Sequence, residues 1–436
     1  MRPLPHTKSI GTGIAAIILM QAASFAATLQ YDDIAALKGM LPRKTETYEI
    51  VPQVELKGNY YHFKVKCDHA DYEVESIKNL MKVCHEIRMM EEYKSTDEGG
   101  EVWKGLSGSV KNLGQGAKAI VTNPNRARKA IGRSLSKMGR KIGRLFKRKE
   151  DENGSNGKDR DEAAGGKYYG KTARTLAFNL KMDVYTDNLY ARELLHAAAK
   201  REAMGKLVIS GALIASPVPG LYVTLYGAMT PDSVDGQTER LIRDNLPDEL
   251  RFQIARTYAQ ANDLDKKGDQ KQIEAYADFL ENPNFNPREV AYIANTLRQL
   301  SGAKNVKAAI AQLGEIDSVA EAIFIAGQYE LLGTLNKWNS KITRLIPMGA
   351  RIAAVNESGE LVVPTSLDVA PNTAEMKAFR NAIVAVKESN RAANAKLFTI
   401  GPADPEFANG CAKAGLLVVG NSLQRSEFKA PAKSAR

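Results

Sequence analysis

The sequence predicts an α+β protein, predominantly helical, and three observations carry that expectation. Alternating apolar and polar residues mark a hairpin near the N-terminus, a series of segments with apolar residues every three or four positions fills the middle, and the alternation returns near residue 350. The expected layout is a small N-terminal hairpin-helix unit, a central helical, bundle-like domain and a small C-terminal α+β unit. At 436 residues, 44% apolar and 25% charged, the chain has the composition of a globular protein with a sizeable core.

Residues 1–26 have the layout of a secretory signal peptide. Arg2 and Lys8 precede the apolar run "IGTGIAAIILM", and Ser24 and Ala26 stand at the small positions of a cleavage site. The run is short for a membrane span, and a secreted or periplasmic protein, peripheral to a membrane, is expected.

Residues 27–95 form the first unit. "TYEIVPQVEL", a turn at "KGN" and "YYHFKVK" read as a hairpin. "DYEVESIKNLMKVCHEIRMMEEY" reads as a helix from its apolar spacing between Val74 and Ile87. In an oxidising compartment Cys67, Cys84 and Cys411 predict one disulfide and a leftover thiol. Cys67 with Cys84 is the expected pair, stapling strand to helix across a loop of roughly 17 residues, worth about 3 kcal/mol in the chain-entropy model, and a pair through Cys411 is the alternative.

Residues 96–149 are a Gly-rich and then basic segment. Trp103, Leu106, Val110, Leu113, Ala117 and Ile120 share a helical face interrupted by Gly105, Gly108, Gly114 and Gly116, and "TNPN" at 122–125 breaks the pattern. "RARKAIGRSLSKMGRKIGRLFKRK" follows at 126–149, with eleven cations and no acid. The formal net charge of the whole chain is also +11, so everything outside this stretch sums to zero. At 100° per residue the stretch sorts into stripes. Ile131, Leu135, Met138, Ile142 and Leu145 are apolar, with Phe146 beside them; Gly132, Ser136, Gly139 and Gly143 are small. Arg133, Lys137, Arg140, Arg144 and Lys147 are cationic, and Arg126, Arg128, Lys129, Lys141, Arg148 and Lys149 add to the charge.

Residues 150–167, rich in Gly and charge without apolar period, read as a flexible linker. The helical domain is expected at 168–340. "TDNLYARELLHAAAKREA" opens at a capping Asp187 or Asn188, and short breaks such as "NPNFNP", "SGA" and "GEIDS" separate later helices. Within it, "LVISGALIASPVPGLYVTLYGAM" at 207–229 has no charge and is interrupted by Pro217, Pro219 and Gly220, which favours a buried hairpin over a span. The unit at 341–425 reads as a hairpin ("ARIAAV", "ELVVPTSL"), a helix over "NTAEMKAFRNAIVAVKESNRAANA" and strands at "KLFTIG" and "GLLVVGNSL"; a disordered basic tail ends the chain at 426–436.

No catalytic residue, metal or cofactor is expected. Glu193 and His196 form E-x-x-H without the second copy that a di-metal bundle needs, and adjacent Cys84 and His85 diverge by about 100° on a helix, which spoils a zinc reading with Cys67 and His69. Walker and G-x-S-x-G motifs are missing. Asp183, Asp187 and Asp232 bracket the apolar hairpin, where capping is the ordinary role of Asp.

The expected partner is therefore an anionic lipid or an acidic envelope polymer, met by the basic amphipath. Nucleic acid is not expected, since it offers the apolar stripe nothing to bury and an exported protein rarely meets it. The alternatives are a membrane-active toxin or pore former that inserts 207–229, and a hydrolase using His196 with Asp183 or Asp187.

Overall fold

The computed structural model describes residues 26–38, 41–97, 99–104, 120–121, 171–180, 182–186, 188–203, 241, 250, 253–254, 270–338 and 341–420. It is a mixed α+β structure containing two sheets.

The first sheet contains β1 (Ala26–Gln30), β2 (Glu49–Ile50), β3 (Gln53–Lys57), β4 (Tyr60–Cys67), β5 (Ala70–Glu75) and β6 (Ile120–Val121). Its order is β1-β3-β4-β5-β6, with β2 also on β4 and only the β5–β6 pair parallel. Gly58, at φ +61°, takes the first central place of the two-residue β3–β4 turn, a conformation that suits glycine. Alternation buries Val54 and Leu56, Tyr61, Phe63 and Val65, then Tyr72 and Val74 on one face.

Helix α1 (Ile77–Lys94) covers that face. Residues 71–75, expected inside this helix, are strand β5. Tyr72 and Val74 keep the period of two, and the chain turns into the helix at Ser76, whose φ of +79° is strained for a residue with a Cβ. The Ser76 N–H donates to Tyr61 O at 2.8 Å, and its Oγ accepts from Asn79 N at 3.2 Å.

The middle of the chain supplies α2 (Lys171–Asn179), α3 (Leu189–Ala203), α4 (Gln270–Glu281), α5 (Pro287–Gln299), α6 (Val306–Gly314) and α7 (Val319–Trp338). They pair as α2 with α3, α4 with α6 and α5 with α7, while α3 meets α1. Asn188 caps α3, accepting from Tyr190 N and Ala191 N. Asn286 and Glu289 form a reciprocal capping box on α5. One continuous apolar core runs from Tyr31 through α1, α3, α5 and α7 to Leu345, so the first sheet and the helices share their interior.

The second sheet has strands β7 (Ile342–Pro347), β8 (Ile352–Asn356), β9 (Leu361–Pro364), β10 (Ala395–Phe398) and β11 (Leu416–Val419), in the order β11-β10-β9-β8-β7. The first three strands are antiparallel, and β9, β10 and β11 are parallel. Parallel neighbours need crossovers, supplied by α8 (Ala374–Ser389) and α9 (Pro405–Lys413). Leu361 and Val363 face α8 and α9, while Val362 faces Leu335 of α7. The alternation expected near residue 350 is therefore not what the structure shows: with cover on both sides, β8 and β9 are buried at every position, Asn356 included.

Candidate functional site

Among the described residues, the densest gathering of chemically capable side chains lies at the tip of the β4–β5 hairpin. Cys67 pairs with Ala70 across the Asp68–His69 turn. The His69 ring is sunk among Tyr190, Trp103 and Tyr72, with ring centroids at 5.1, 5.4 and 6.2 Å. Its Nδ1 stands 3.4 Å from Glu91 Oε1, and its Nε2 is 3.1 Å from the Tyr72 hydroxyl. Tyr72 in turn donates to Asn188 Oδ1, which joins the cluster to the cap of α3. Lys94 donates to Glu91 Oε2 at 3.0 Å and lies 4.9 Å over the Trp103 ring. The His69 hydrogen bond and Lys94 together hold the Glu91 carboxyl below its usual range.

Cys67, His69 and Glu91 are the residue types of a nucleophilic triad, but their geometry opposes that chemistry. Cys67 Sγ is 3.4 Å from both Nδ1 and Nε2. Equal distances put the sulfur off the lone-pair axis of either nitrogen, so the imidazole has no line along which to take the thiol proton. The thiol donates instead to Ala70 O at 3.3 Å, and burial pushes its pKa up to about 11. Among the described residues, no group of three or more His, Cys, Asp or Glu is placed to hold a metal ion.

The expected Cys67–Cys84 disulfide is not formed: all three cysteines are free thiols. His69, two residues past Cys67, reaches Glu91, seven residues beyond Cys84 and hence about 10 Å further along α1. Cys84 is wholly buried and bonded to the Tyr48 side chain, with its thiol pushed well up by burial. Cys411, on α9, is pushed up to about 11 for the same reason.

The other candidates scatter. His196 lies half-buried on α3 near Glu193, and burial lowers its pKa. His62 is on β4 between Glu55 and Glu75, and His85 is buried in α1. The basic amphipath from Arg126 to Lys149 lies outside the described residues, as do the Gly-rich positions 105–118, Asp187, Asp232 and the apolar stretch 207–229.

Asp183, which the sequence offers as a cap or as a partner of His196, is instead a buried ion-pair centre, and Asp368 carries no signal in the sequence. Asp183 Oδ2 is 3.0 Å from Lys82 Nζ and 3.1 Å from Arg288 Nη1, while Oδ1 accepts from Tyr185 N at 3.0 Å. Burial pushes its carboxyl up, but the two cations outweigh that and hold it well below the usual range. Asp368, in the segment after β9, is fully buried, and none of the described residues places a cation on its oxygens. A cleft of about 480 Å³ at the carboxyl ends of α4 and α6 is lined by Asp278, Glu281 and Glu315. The Asn282 amide already fills the carbonyls of Leu313 and Ile316 there. No protein-family model, curated protein or solved structure matches the chain.

Proposed function

We propose that this is an exported binding protein without enzymatic activity, predominantly helical between two smaller α+β units, which meets an anionic membrane or acidic envelope polymer through residues 126–149. The observation that carries the proposal is the confinement of the entire net charge of +11 to that one stretch. Its spacing sets a cationic stripe beside an apolar one, the pattern of a helix that lies in a membrane interface. Three interior glycines cost about 3 kcal/mol, and five or more cations near an anionic surface, at about 1 kcal/mol each, outweigh them before any apolar burial is added.

Two features of the described residues favour this reading. Ile323 and Leu417 are the only large hydrophobic side chains exposed among them, too few for a membrane-binding face. The hairpin-tip cluster, which has the richest chemistry, lacks the alignment of a proton-transfer pair.

Vesicle flotation tests the proposal with the full chain and with a chain lacking residues 126–149. The full chain is expected to float with anionic vesicles and to stay down with neutral ones, and the deletion removes the difference. Equal flotation of the two proteins, or none by either, overturns the reading.

A further inference from the structure

Asp368 joins parts of the chain that are far apart in sequence. Its Oδ2 accepts from Tyr61 N at 3.1 Å, in β4, and from Ile77 N at 2.9 Å, in the first turn of α1. Beside it, Val369 N donates to Asn59 O at 3.2 Å. The residues held in this way flank Ser76, the strained corner between β5 and α1. The second oxygen, Oδ1, is buried and has no hydrogen-bond partner among the described residues. One carboxyl therefore clamps the first sheet and α1 to the loop after β9, with half of its acceptor capacity unused.

The groups around it decide its charge. Glu75, at the end of β5, disfavours ionisation, and Tyr60 and Tyr61 contribute no cation. Arg351 lies against the rings of Phe379 and Phe324 and acts on Tyr60 and Glu321. Lys78 of α1 is paired with Glu330 of α7. The two N–H donors and the positive end of α1 pull toward the ionised form. Burial wins, and the carboxyl is pushed up to about 8.

We propose that Asp368 is a proton-operated latch: neutral, it holds the first sheet and α1 against the second sheet, and loss of its proton loosens that joint. Opening returns the group to water, where its pKa falls to the ordinary carboxylate value of about 4. The closed form then binds more protons than the open one between the two values. The latch is at full strength below about pH 4 and weakens by roughly tenfold per pH unit until about pH 8, where the effect levels off.

Hydrogen exchange of the full-length protein between about pH 5 and about pH 9 tests this. In peptides covering Tyr61 and Ile77, exchange corrected for its intrinsic pH dependence is expected to rise by roughly tenfold per unit and then flatten. Asp368→Asn keeps an acceptor but has no titrating proton, so its profile is flat. Identical slopes in the two proteins overturn the latch. If the variant does not fold, infrared spectroscopy of the unaltered protein decides: a protonated-carboxyl band at about pH 6 that is lost by about pH 9 supports it, and its absence overturns it.

Discussion

Arg288 Nη1 stands 3.1 Å from Oδ2 of Asp183, and Lys82 Nζ reaches the same oxygen at 3.0 Å. The carboxylate exposes 5% of its side chain and each cation 16%, so the three charges form a buried unit joining α1 to α5. Replacing such a set by apolar groups can be neutral, but removing one member leaves charge uncompensated. Asp183→Asn is therefore expected to lower stability by about 3–5 kcal/mol in urea unfolding. The folded-state pKa is depressed, so the stabilisation is complete above about pH 4 and disappears as pH falls through the lower value. Stability of the unaltered protein should fall more steeply than that of the variant in that acid range; parallel curves would contradict the assignment.

The cysteines give a second test. Unfolding the protein in denaturant without reductant should release three titratable thiols; a count of one would mean that two of the three cysteines are joined, and peptide mapping would then show which two. In the native state Cys67, the most exposed of the three, should react first. With its pKa near 11, it should alkylate at neutral pH roughly a hundredfold more slowly than an ordinary exposed thiol.

Local patterns were legible in the sequence and distant pairings were not. Tyr61, Phe63 and Val65 announce β4 by alternation, and Asn286-Pro287 with Glu289 announces the start of α5. Strand β5 reads as part of the helix because Val74 continues the apolar spacing of Ile77 and Leu80 backwards. Strand β7 gives no alternating signal because its register shift between Ile342 and Arg344 breaks the period of two. Helix α9 had a usable signal, with Asp404 as N-cap and Pro405 in the first turn. The clamp of Asp368 on Tyr61 and Ile77 spans about three hundred residues, and periodicity carries no information over that distance.

The capping box of α5 offers a graded prediction. Asn286 Oδ1 accepts from Glu289 N at 2.8 Å, and Glu289 Oε2 accepts from Asn286 N at 2.8 Å. Asn286→Ala should cost about 1 kcal/mol of global stability, and Glu289→Ala somewhat less. Because each side chain serves the other's backbone, the double variant should cost less than the sum of the two singles. Strict additivity in urea midpoints would show that the bonds act independently.

The loops at the carboxyl ends of β9 and β10 pack so closely that one methyl group should register. A Cβ on Gly401 would stand 1.9 Å from the main-chain oxygen of Asp368, which cannot swing aside as a side chain does. Thr399 Oγ1 donates to Gly401 O at 2.7 Å and Ile400 N donates to Leu367 O at 3.0 Å, so the flanking backbone is held in place as well. Gly401→Ala should cost about 3 kcal/mol or more, at the upper end for overpacking. Gly302, in the turn after α5, has nothing within 4 Å of an added Cβ, and Gly302→Ala should stay within about 0.5 kcal/mol of the unaltered protein. Parallel urea unfolding of the two variants measures the contrast, and comparable midpoints would mean that the Asp368 loop yields more readily than its hydrogen bonds imply.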